Sequence, residues 1–336
     1  MQRYFRPIVH NDPAHSRLSL PLCGTGLWFD QVECLQRGKA SSVLPASEVP
    51  AEILDNLTRP RPTIGAMDFS APNLMGVLNV TPDSFSDGGV HNVENDAIKR
   101  AKQMIEMGVD IVDIGGESTR PGADCVNVDE EISRTVGVIE KIREIDREVV
   151  ISIDTRKAPV ATAAINAGAT MLNDVSALSF DPCMAGVAAR NELPICLMHA
   201  QGDPAVMQDD PNYSNVLLDV FDYLAERVCA AVAAGIDRSR IIIDPGVGFG
   251  KTLEHNLSLI RRISLFHAIG CPILLGVSRK RFIGTISGEL TPAKRGAGSL
   301  AVALEGVRQG VQIVRAHDIN THRQAFALWT ELHKFR

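Results

Sequence analysis

Eight short apolar runs, each followed by a longer amphipathic segment, occupy residues 74–333 and predict an α/β fold of the (β/α)8 class, a TIM barrel. A barrel of this kind usually takes about 250 residues, which fits this range. Glycine follows four of the amphipathic segments, at Gly108, Gly168, Gly235 and Gly310, where a left-handed residue commonly ends a helix. An open doubly wound sheet is the alternative, but it seldom contains eight such regular units.

Each repeat pairs a strand signal with a helix signal. The first apolar run, Leu74–Leu78, has no polar side chain, as expected of a parallel strand that is buried on both faces. Apolar residues then recur every three or four positions from Ala97 to Ile105, which places them on one helical face. By the same criteria the predicted strands are 74–78, 110–114, 149–153, 169–173, 194–198, 240–244, 272–277 and 311–315. The predicted helices are 94–107, 129–145, 157–167, 182–191, 214–234, 254–267, 292–308 and 319–333.

Composition indicates an ordinary soluble globular protein. Of 336 residues, 45% are hydrophobic and 22% are charged, and the formal net charge is −6. Such values are typical of soluble domains and give no electrostatic footprint for nucleic acid or an anionic membrane surface. No apolar run approaches the ~20 residues of a membrane span. We therefore expect neither nucleic acid nor a membrane as a partner.

The N-terminal region differs from the repeats that follow it. The opening MQRYFRPIVHND lacks the apolar core of a signal peptide, and the seven cysteines show no C-x-x-C spacing. Both features favour a cytoplasmic protein with reduced thiols. Residues 1–70 contain a Pro- and Arg-rich piece, RPRPTIG, and a possible strand at Leu27–Phe29. We expect an N-terminal extension of unknown role over 1–70 and the barrel over 71–336.

Almost every predicted strand ends in a residue that can hydrogen-bond or carry charge. In a barrel these ends share one rim, where ligands bind, so the pattern favours an enzyme. Asp154, Asn173 and Asp244 follow apolar strands, where ionised carboxylates need donors to offset desolvation. They suit a planar ligand with several N–H groups, such as an amino-substituted heterocycle. Lys280 could lie between them as an internal partner.

A second set of rim residues is cationic. Arg120, Arg315 and His317 suit a phosphate or carboxylate group. A heterocycle that carries a phosphoryl-type anion would satisfy both sets. Asn79 ends the first strand and opens a loop rich in Thr, Pro, Asp, Ser and Gly, as expected where a rigid scaffold carries a functional loop.

One segment, Ile241–Thr252, resembles a strand that runs into a phosphate loop. The P-loop pattern needs a glycine where this chain has Pro245, and Asp244 would repel phosphate. A tight turn with Phe249 as an aromatic wall is therefore the favoured interpretation. His199 follows another strand end, and both a ligand and a hydrogen-bonded structural histidine remain open there. The histidines show no H-x-x-x-H or H-E-x-x-H spacing, which argues against catalytic zinc.

Several separated motifs are similar to those of the dihydropteroate synthase family. They are GVLNVTPDSFSDGG, DIGGESTRPGA, SIDTRK, LNDVSAL, MHAQG, IIIDPGVGFGK, GVSRKRFIG and VRAHD. Ala200 and Ala316 depart from the residues common at those places, but neither place supplies a polar contact in the family. The resemblance covers about residues 74–333. It implies condensation of 6-hydroxymethyl-7,8-dihydropterin diphosphate with 4-aminobenzoate to give 7,8-dihydropteroate and diphosphate.

The resemblance also implies roles for individual rim residues. It assigns the pterin edge to Asp154, Asn173, Asp244 and Lys280, with Met198 and Phe249 near the ring faces and Gly276 leaving room beneath. It assigns the diphosphate to Asn79, Arg315 and His317, and Mg²⁺ to Asn79 as a ligand. It assigns the aminobenzoate site to Phe85, Thr119, Arg120, Pro121 and Ser278. The residues expected to be catalytic are Asp154, Lys280, Arg315 and His317.

We expect Mg²⁺ as the cofactor and an SN1-like loss of diphosphate, with sulfonamides as competitive inhibitors and a homodimer as the assembly. Two other functions remain. A pterin-binding methyltransferase domain would hold a pterin with similar carboxylates, but it would not need the cations for diphosphate. A non-catalytic pterin- or folate-binding protein is the third possibility, and the presence of Asn79, Thr119 and Lys280 argues against it.

Overall fold

The computed structural model describes residues 2–12, 14, 17–65, 67–81, 90–118, 125–202 and 211–333. The N-terminal extension has structure of its own. Its elements are β1 (Tyr4–Pro7), β2 (Leu20–Pro21), β3 (Trp28–Phe29), β4 (Gln31–Leu35), β5 (Ser42–Pro45) and α1 (Ala51–Thr58). Strands β1, β4 and β5 form an antiparallel sheet, and β2 pairs with β3. The predicted strand at Leu27–Phe29 corresponds to β3.

The next eight strands are parallel and form the barrel. They are β6 (Asn73–Asn79), β7 (Ile111–Gly115), β8 (Val150–Asp154), β9 (Met171–Asp174), β10 (Ile195–Met198), β11 (Ile241–Asp244), β12 (Leu274–Gly276) and β13 (Ile313–Ala316). Strands β6 to β11 are neighbours in chain order, and β13 lies between β6 and β12. A parallel bridge between Ile243 and Ile273 joins β11 to the chain before β12 and closes the sheet. The predicted (β/α)8 barrel is confirmed.

Helices surround the strands. They are α2 (Val90–Glu106), α3 (Val128–Ile145), α4 (Ala158–Ala167), α5 (Met184–Arg190), α6 (Val216–Ala233), α7 (Leu253–Arg261), α8 (Arg281–Ser287), α9 (Gly296–Arg308) and α10 (Ile319–Leu332). Within the described ranges, none of them is long and apolar enough to cross a membrane.

Two predicted helices differ from the structure. The predicted helix 254–267 is split, because Arg262 leaves the helical conformation at φ −130° and a 3-10 helix continues over Ile263–Ile269. The predicted helix 292–308 begins only at Gly296, after a 3-10 turn. Helix α8 was not predicted. It ends at Gly288 in the left-handed region (φ 74°), and its seven residues, RFIGTIS, are mostly aromatic, β-branched or glycine, which have low helix propensity.

The extension packs on the outside of the barrel. The Ser264 hydroxyl, on the 3-10 helix, donates to the Pro7 carbonyl at 3.0 Å. Arg37 pairs with Asp219 at 2.5 Å and Asp222 at 2.7 Å, both on α6. Buried apolar side chains of the extension belong to the same hydrophobic core as the barrel and its helices. The extension therefore adds a layer to one face of the barrel.

A separate apolar cluster closes the amino end of the barrel. Ile64, Met67 and Phe69 cluster there with residues at or near the starts of the strands, namely Met75, Ile111, Val150, Met171, Cys196, Ile242, Leu274 and Ile313. This end of the barrel serves stability, whereas sites in this fold lie at the other end. The described polar residues that were predicted for the site lie near or just beyond the carboxyl ends of the strands.

Candidate active site

Strand register brings three predicted site residues together. In the register of the parallel strands, Asn79 lies opposite Gly115, Gly115 lies opposite Asp154, and Asp154 lies opposite Asn173. Residues that are level in neighbouring parallel strands point to the same face. Gly115 leaves space between two of the side chains, since a Cβ atom there would lie 3.6 Å from Asn79 Oδ1 and 3.8 Å from Asp154 Oδ2.

An arginine bridges two buried carboxylates across the barrel interior. Arg315 Nε donates to Asp113 Oδ2 at 2.6 Å, and its Nη2 donates to Asp154 Oδ2 at 2.9 Å. Asn173 Nδ2 donates to Asp113 Oδ2 at 3.2 Å. Both carboxylate side chains are almost completely buried. Arg315 is thus held inside the ring of strand ends by charge-assisted hydrogen bonds.

The surroundings of Asp154 disfavour its charged form. Burial raises the pKa of Asp154 to about 7, and the Asp113 carboxylate adds to the shift while Arg315 opposes it. Burial alone would lower the pKa of Arg315, but the two carboxylates outweigh it and raise that pKa, so the guanidinium stays protonated. Asp154 Oδ1 is buried without a hydrogen-bond partner in the described structure. A ligand N–H at this atom would satisfy it and favour the carboxylate.

Asp244 occupies the rim on the β11 side. Its Oδ1 accepts the Gly246 backbone N–H at 2.7 Å, and a Cβ atom on Gly276 would lie 3.8 Å from its Oδ2. Burial raises the pKa of Asp244 to about 6, while the Gly246 hydrogen bond and the Lys280 charge reduce the shift. Lys280 Nζ lies 4.1 Å from the centre of the Phe249 ring, within the range of a cation–π contact.

A serine and a histidine meet at the mouth of the barrel. Ser278 Oγ lies 2.9 Å from His317 Nδ1 and accepts the His317 backbone N–H at 3.2 Å. The His317 carbonyl accepts a hydrogen bond from Arg100 at 2.8 Å. Both the backbone and the ring of His317 are therefore held in place at the rim.

One cavity of about 1160 Å³ unites most of these residues. Eight predicted site residues line it: Asn79, Asp154, Phe249, Gly276, Ser278, Lys280, Arg315 and His317. Three others are buried at the adjoining strand ends: Asn173, Met198 and Asp244. The remaining predictions lie outside the described residues; they are Phe85, Thr119, Arg120 and Pro121.

Sequence reasoning missed two residues of this site. Asp113 lies in the buried strand β7 and is fully inaccessible. An acidic residue inside an apolar run is a usable signal, because a buried carboxylate needs a partner. Lys251 lines the same cavity and is 3% exposed. Lys251 is the last residue of the motif IIIDPGVGFGK, but the sequence does not show that its side chain is buried.

Asn79 Oδ1 is a side-chain oxygen at this rim that could bind a metal. The described residues contain no group of three or more His, Cys, Asp or Glu side chains able to hold a metal ion. Mg²⁺ commonly uses one or two protein oxygens, several waters and substrate phosphates instead. The space between Asn79 and Asp154, which a side chain at Gly115 would fill, fits that mode of binding.

The fold and the rim define a class, a (β/α)8-barrel enzyme with a polar pocket at the carboxyl ends of its strands. A family model described as pterin binding enzyme matches residues 75–317. The dihydropteroate synthase of Escherichia coli K12 is 46% identical over 254 residues, which covers 76% of this chain and 89% of that relative. The chain belongs to the dihydropteroate synthase family.

Solved structures agree with this assignment. The chain is similar to a Xanthomonas albilineans dihydropteroate synthase with 4-aminobenzoic acid, at 41% identity and a TM-score of 0.75, over 79% of this chain and 94% of that chain. It is also similar to a Yersinia pestis dihydropteroate synthase in a sulfonamide drug complex, at 42% identity and a TM-score of 0.75, over 79% of this chain and 96% of that chain.

Proposed function

We propose that this chain condenses 6-hydroxymethyl-7,8-dihydropterin diphosphate with 4-aminobenzoate to give 7,8-dihydropteroate and diphosphate. The observation that supports this most is the cavity that the buried Asp154 carboxylate lines together with the cations Lys280 and Arg315. The Xanthomonas albilineans relative with bound 4-aminobenzoic acid supports the same second substrate here.

The carboxylates suit the pterin end of the first substrate. A dihydropterin presents ring and amino N–H groups along one edge. Asp154 Oδ1, which is buried and unpartnered in the described structure, and the Asp244 carboxylate are the acceptors proposed for them, with Asn173 beside Asp154. Burial raises the pKa of both carboxyl groups, and N–H donors from the pterin would counter that effect. Binding therefore favours the ionised forms.

The diphosphate is proposed to lie towards the mouth, near Asn79 and His317, which line the cavity. Arg315 can contribute as well, because a guanidinium has five N–H donors and two of them bind the carboxylates. Mg²⁺ held through Asn79 would supply additional positive charge for the departing diphosphate. Arg315 and His317 stabilise the same developing charge electrostatically.

The amine of 4-aminobenzoate is already a nucleophile, so no activated side-chain nucleophile is required. Loss of diphosphate is the demanding step, and we propose that it precedes attack in an SN1-like path. The dihydropterin ring delocalises the developing methylene cation, and Asp154 lies where its carboxylate can support that charge. A normal secondary isotope effect from deuterium on the methylene is expected. An effect near unity, with complete inversion at a chirally labelled methylene, would indicate associative displacement instead.

The aminobenzoate end involves Ser278 and the residues predicted at Phe85, Thr119, Arg120 and Pro121. Ser278 lines the cavity beside His317. The Yersinia pestis relative in a sulfonamide drug complex supports competitive inhibition of this chain by sulfonamides. Such inhibition should raise the apparent aminobenzoate KM and leave kcat unchanged.

A coupled assay for diphosphate release tests the function. With Mg²⁺ present, rapid release that requires both substrates supports the synthase. Pterin binding without release under any Mg²⁺ condition would favour a binding protein. Methyl transfer from a methylated pterin, with no diphosphate release, would favour the methyltransferase alternative. A homodimer and a cytoplasmic location stay predictions, and sedimentation of the purified chain measures the first of them.

A further inference from the structure

Lys251 is buried beneath the glycine-rich turn that joins β11 to α7. Its Nζ lies 2.9 Å from the Phe249 carbonyl oxygen, 2.9 Å from His199 Nδ1 and 3.4 Å from the His199 carbonyl oxygen. Three acceptors match the three donors of an ammonium group. The roles that the family resemblance implies do not include Lys251, although this side chain lines the substrate cavity.

His199 is a fixed acceptor for this lysine. Burial and the neighbouring Lys251 lower the pKa of His199 to about 2, so its ring is neutral and Nδ1 accepts the hydrogen bond. The ring packs edge-on against Tyr223, with centroids 4.8 Å apart. The His199 backbone N–H donates to the Asp244 carbonyl at 3.0 Å. His199 is thus a structural histidine, and its backbone is hydrogen-bonded to the end of β11, which carries Asp244.

Lys251 connects this acceptor to residues beside the proposed pterin site. Its hydrogen bond to the Phe249 carbonyl holds the turn, and the Phe249 ring lies 4.1 Å from Lys280 Nζ. Gly248 belongs to the same turn. Its N–H donates to Asn256 Oδ1 at 2.7 Å, and a Cβ atom there would lie 3.1 Å from Lys280 Cδ. The placement of both Phe249 and Lys280 therefore depends on the turn that Lys251 holds.

The charge on Lys251 depends on opposing influences. Burial lowers the pKa of Lys251 to about 7; Asp244 favours its charged form and Lys280 opposes it. Lys251 in turn makes Asp244 easier to ionise. The titratable and charged groups around it are His199 after β10, Asp244 on β11, Lys280 after β12, His255 on α7 and Tyr213 ahead of α6.

We propose that Lys251 is a positioning residue for the pterin end of the reaction: its ammonium holds the Phe249 turn against His199 and supports the negative charge of Asp244. This role rests on the proposed function. Lys251 contacts the turn and the histidine, so it acts on the substrate through Phe249, Lys280 and Asp244. Loss of its proton should release the turn and weaken binding of the pterin.

The test compares two quantities: the pterin dissociation constant, measured by calorimetry with 6-hydroxymethylpterin, and the aminobenzoate KM in the full reaction. The Lys251→Met variant should raise the pterin Kd by about 10-fold or more, because it leaves buried acceptors without a donor. It should leave the aminobenzoate KM within about two-fold of wild type. Ionisation of Asp154 and Asp244 raises pterin affinity over the same pH range in both proteins, so the comparison uses the ratio of the Lys251→Met Kd to the wild-type Kd. That ratio should shrink as pH rises above about 7, where wild-type Lys251 loses its proton.

A second pair of variants keeps the test decisive if Lys251→Met does not fold. His199→Asn retains an acceptor near the position of Nδ1 and should bind the pterin almost as wild type does, whereas His199→Leu should weaken binding as Lys251→Met does. Arg143→Met is the stability control. Arg143 donates to the Gly168 and Val149 carbonyls at the amino end of the barrel, so this variant should lose stability with an unchanged pterin Kd.

An unchanged pterin Kd in folded Lys251→Met, or equal binding by His199→Asn and His199→Leu, would overturn the role of Lys251. The role would also be overturned if Lys251→Met raised the pterin Kd and the aminobenzoate KM by the same factor, in proportion to its loss of stability. That result would indicate a purely structural role. A wild-type chain that neither binds the pterin nor releases diphosphate would overturn the proposed function and this role with it. If the wild type binds the pterin normally, a failed variant test overturns the role of Lys251 and leaves the proposed function standing.

Discussion

Replacing Asp154 with asparagine should change how folding stability depends on pH, in addition to abolishing the reaction. Burial and the Asp113 carboxylate raise the pKa of Asp154 from 3.8 to about 7. The folded protein therefore keeps a proton on this carboxyl group over a pH range in which the unfolded chain has released it. Because the folded-state pKa is the higher one, the free energy of unfolding falls as pH rises from the unfolded value towards about 7.

The size of this effect follows from the two pKa values. For one group at 3.8 in the unfolded chain and about 7 in the folded protein, linkage gives a fall of about 2 to 3 kcal/mol in the free energy of unfolding between about pH 5 and pH 8. The Asp154→Asn variant cannot release this proton. The difference in unfolding free energy, Asp154→Asn minus wild type, should therefore increase by about 2 to 3 kcal/mol from about pH 5 to pH 8. Arg315 keeps its bond to Asp113 in the variant.

Urea unfolding of both proteins from about pH 5 to pH 8 measures the difference. Asp110→Asn is the matched control, because Asp110 is 30% exposed and pairs with Arg323 at 2.7 Å at the amino end of the barrel. Its stability relative to wild type should stay constant over this range. If the Asp154→Asn difference stays constant within about 0.5 kcal/mol as well, Asp154 is already ionised at the acidic end and its pKa is not raised to about 7.

Three further substitutions test the site. Lys280→Ala should raise the pterin KM by about 10-fold or more and lower turnover, since it removes a charge from a carboxylate-rich pocket; unchanged steady-state kinetics would remove Lys280 from the site. Arg315→Met should cost about 3 to 5 kcal/mol in urea unfolding near pH 8, because two buried carboxylates lose their partner; a loss below about 1 kcal/mol would show that water replaces the arginine. Gly246→Ala should cost more than about 3 kcal/mol, because its Cβ would lie 1.8 Å from a carbonyl oxygen at φ 65°. Gly288→Ala, at φ 74° with nothing within 4 Å, should cost only about 1 kcal/mol, and equal thermal shifts for the two glycines would contradict the steric argument.

Much of the fold was predictable because its signals are local. A strand appears as an apolar run of about five residues, and the helix after it appears as an amphipathic run. In both, the spacing of the apolar side chains predicts which face is buried. All eight barrel strands were predicted, and eight of the predicted site residues line one cavity. The strand-end residues could be assigned to one rim because parallel strands present their carboxyl ends together. Helix α8 was not predicted because its residues, RFIGTIS, have low helix propensity, whereas α5 has the same length but contains three alanines.

Charge pairing at the site was decided by tertiary structure. The sequence by itself determined that carboxylates and cations share a rim, and it suggested Arg315 for an anion. Closure of the barrel then placed Arg315 between Asp113 and Asp154, which lie 202 and 161 residues away along the chain. Burial of Lys251 against His199 likewise depends on how one turn packs on a neighbouring strand end. Such pairings form between residues distant in sequence, so no local spacing records them, and desolvation by the closed barrel sets their protonation.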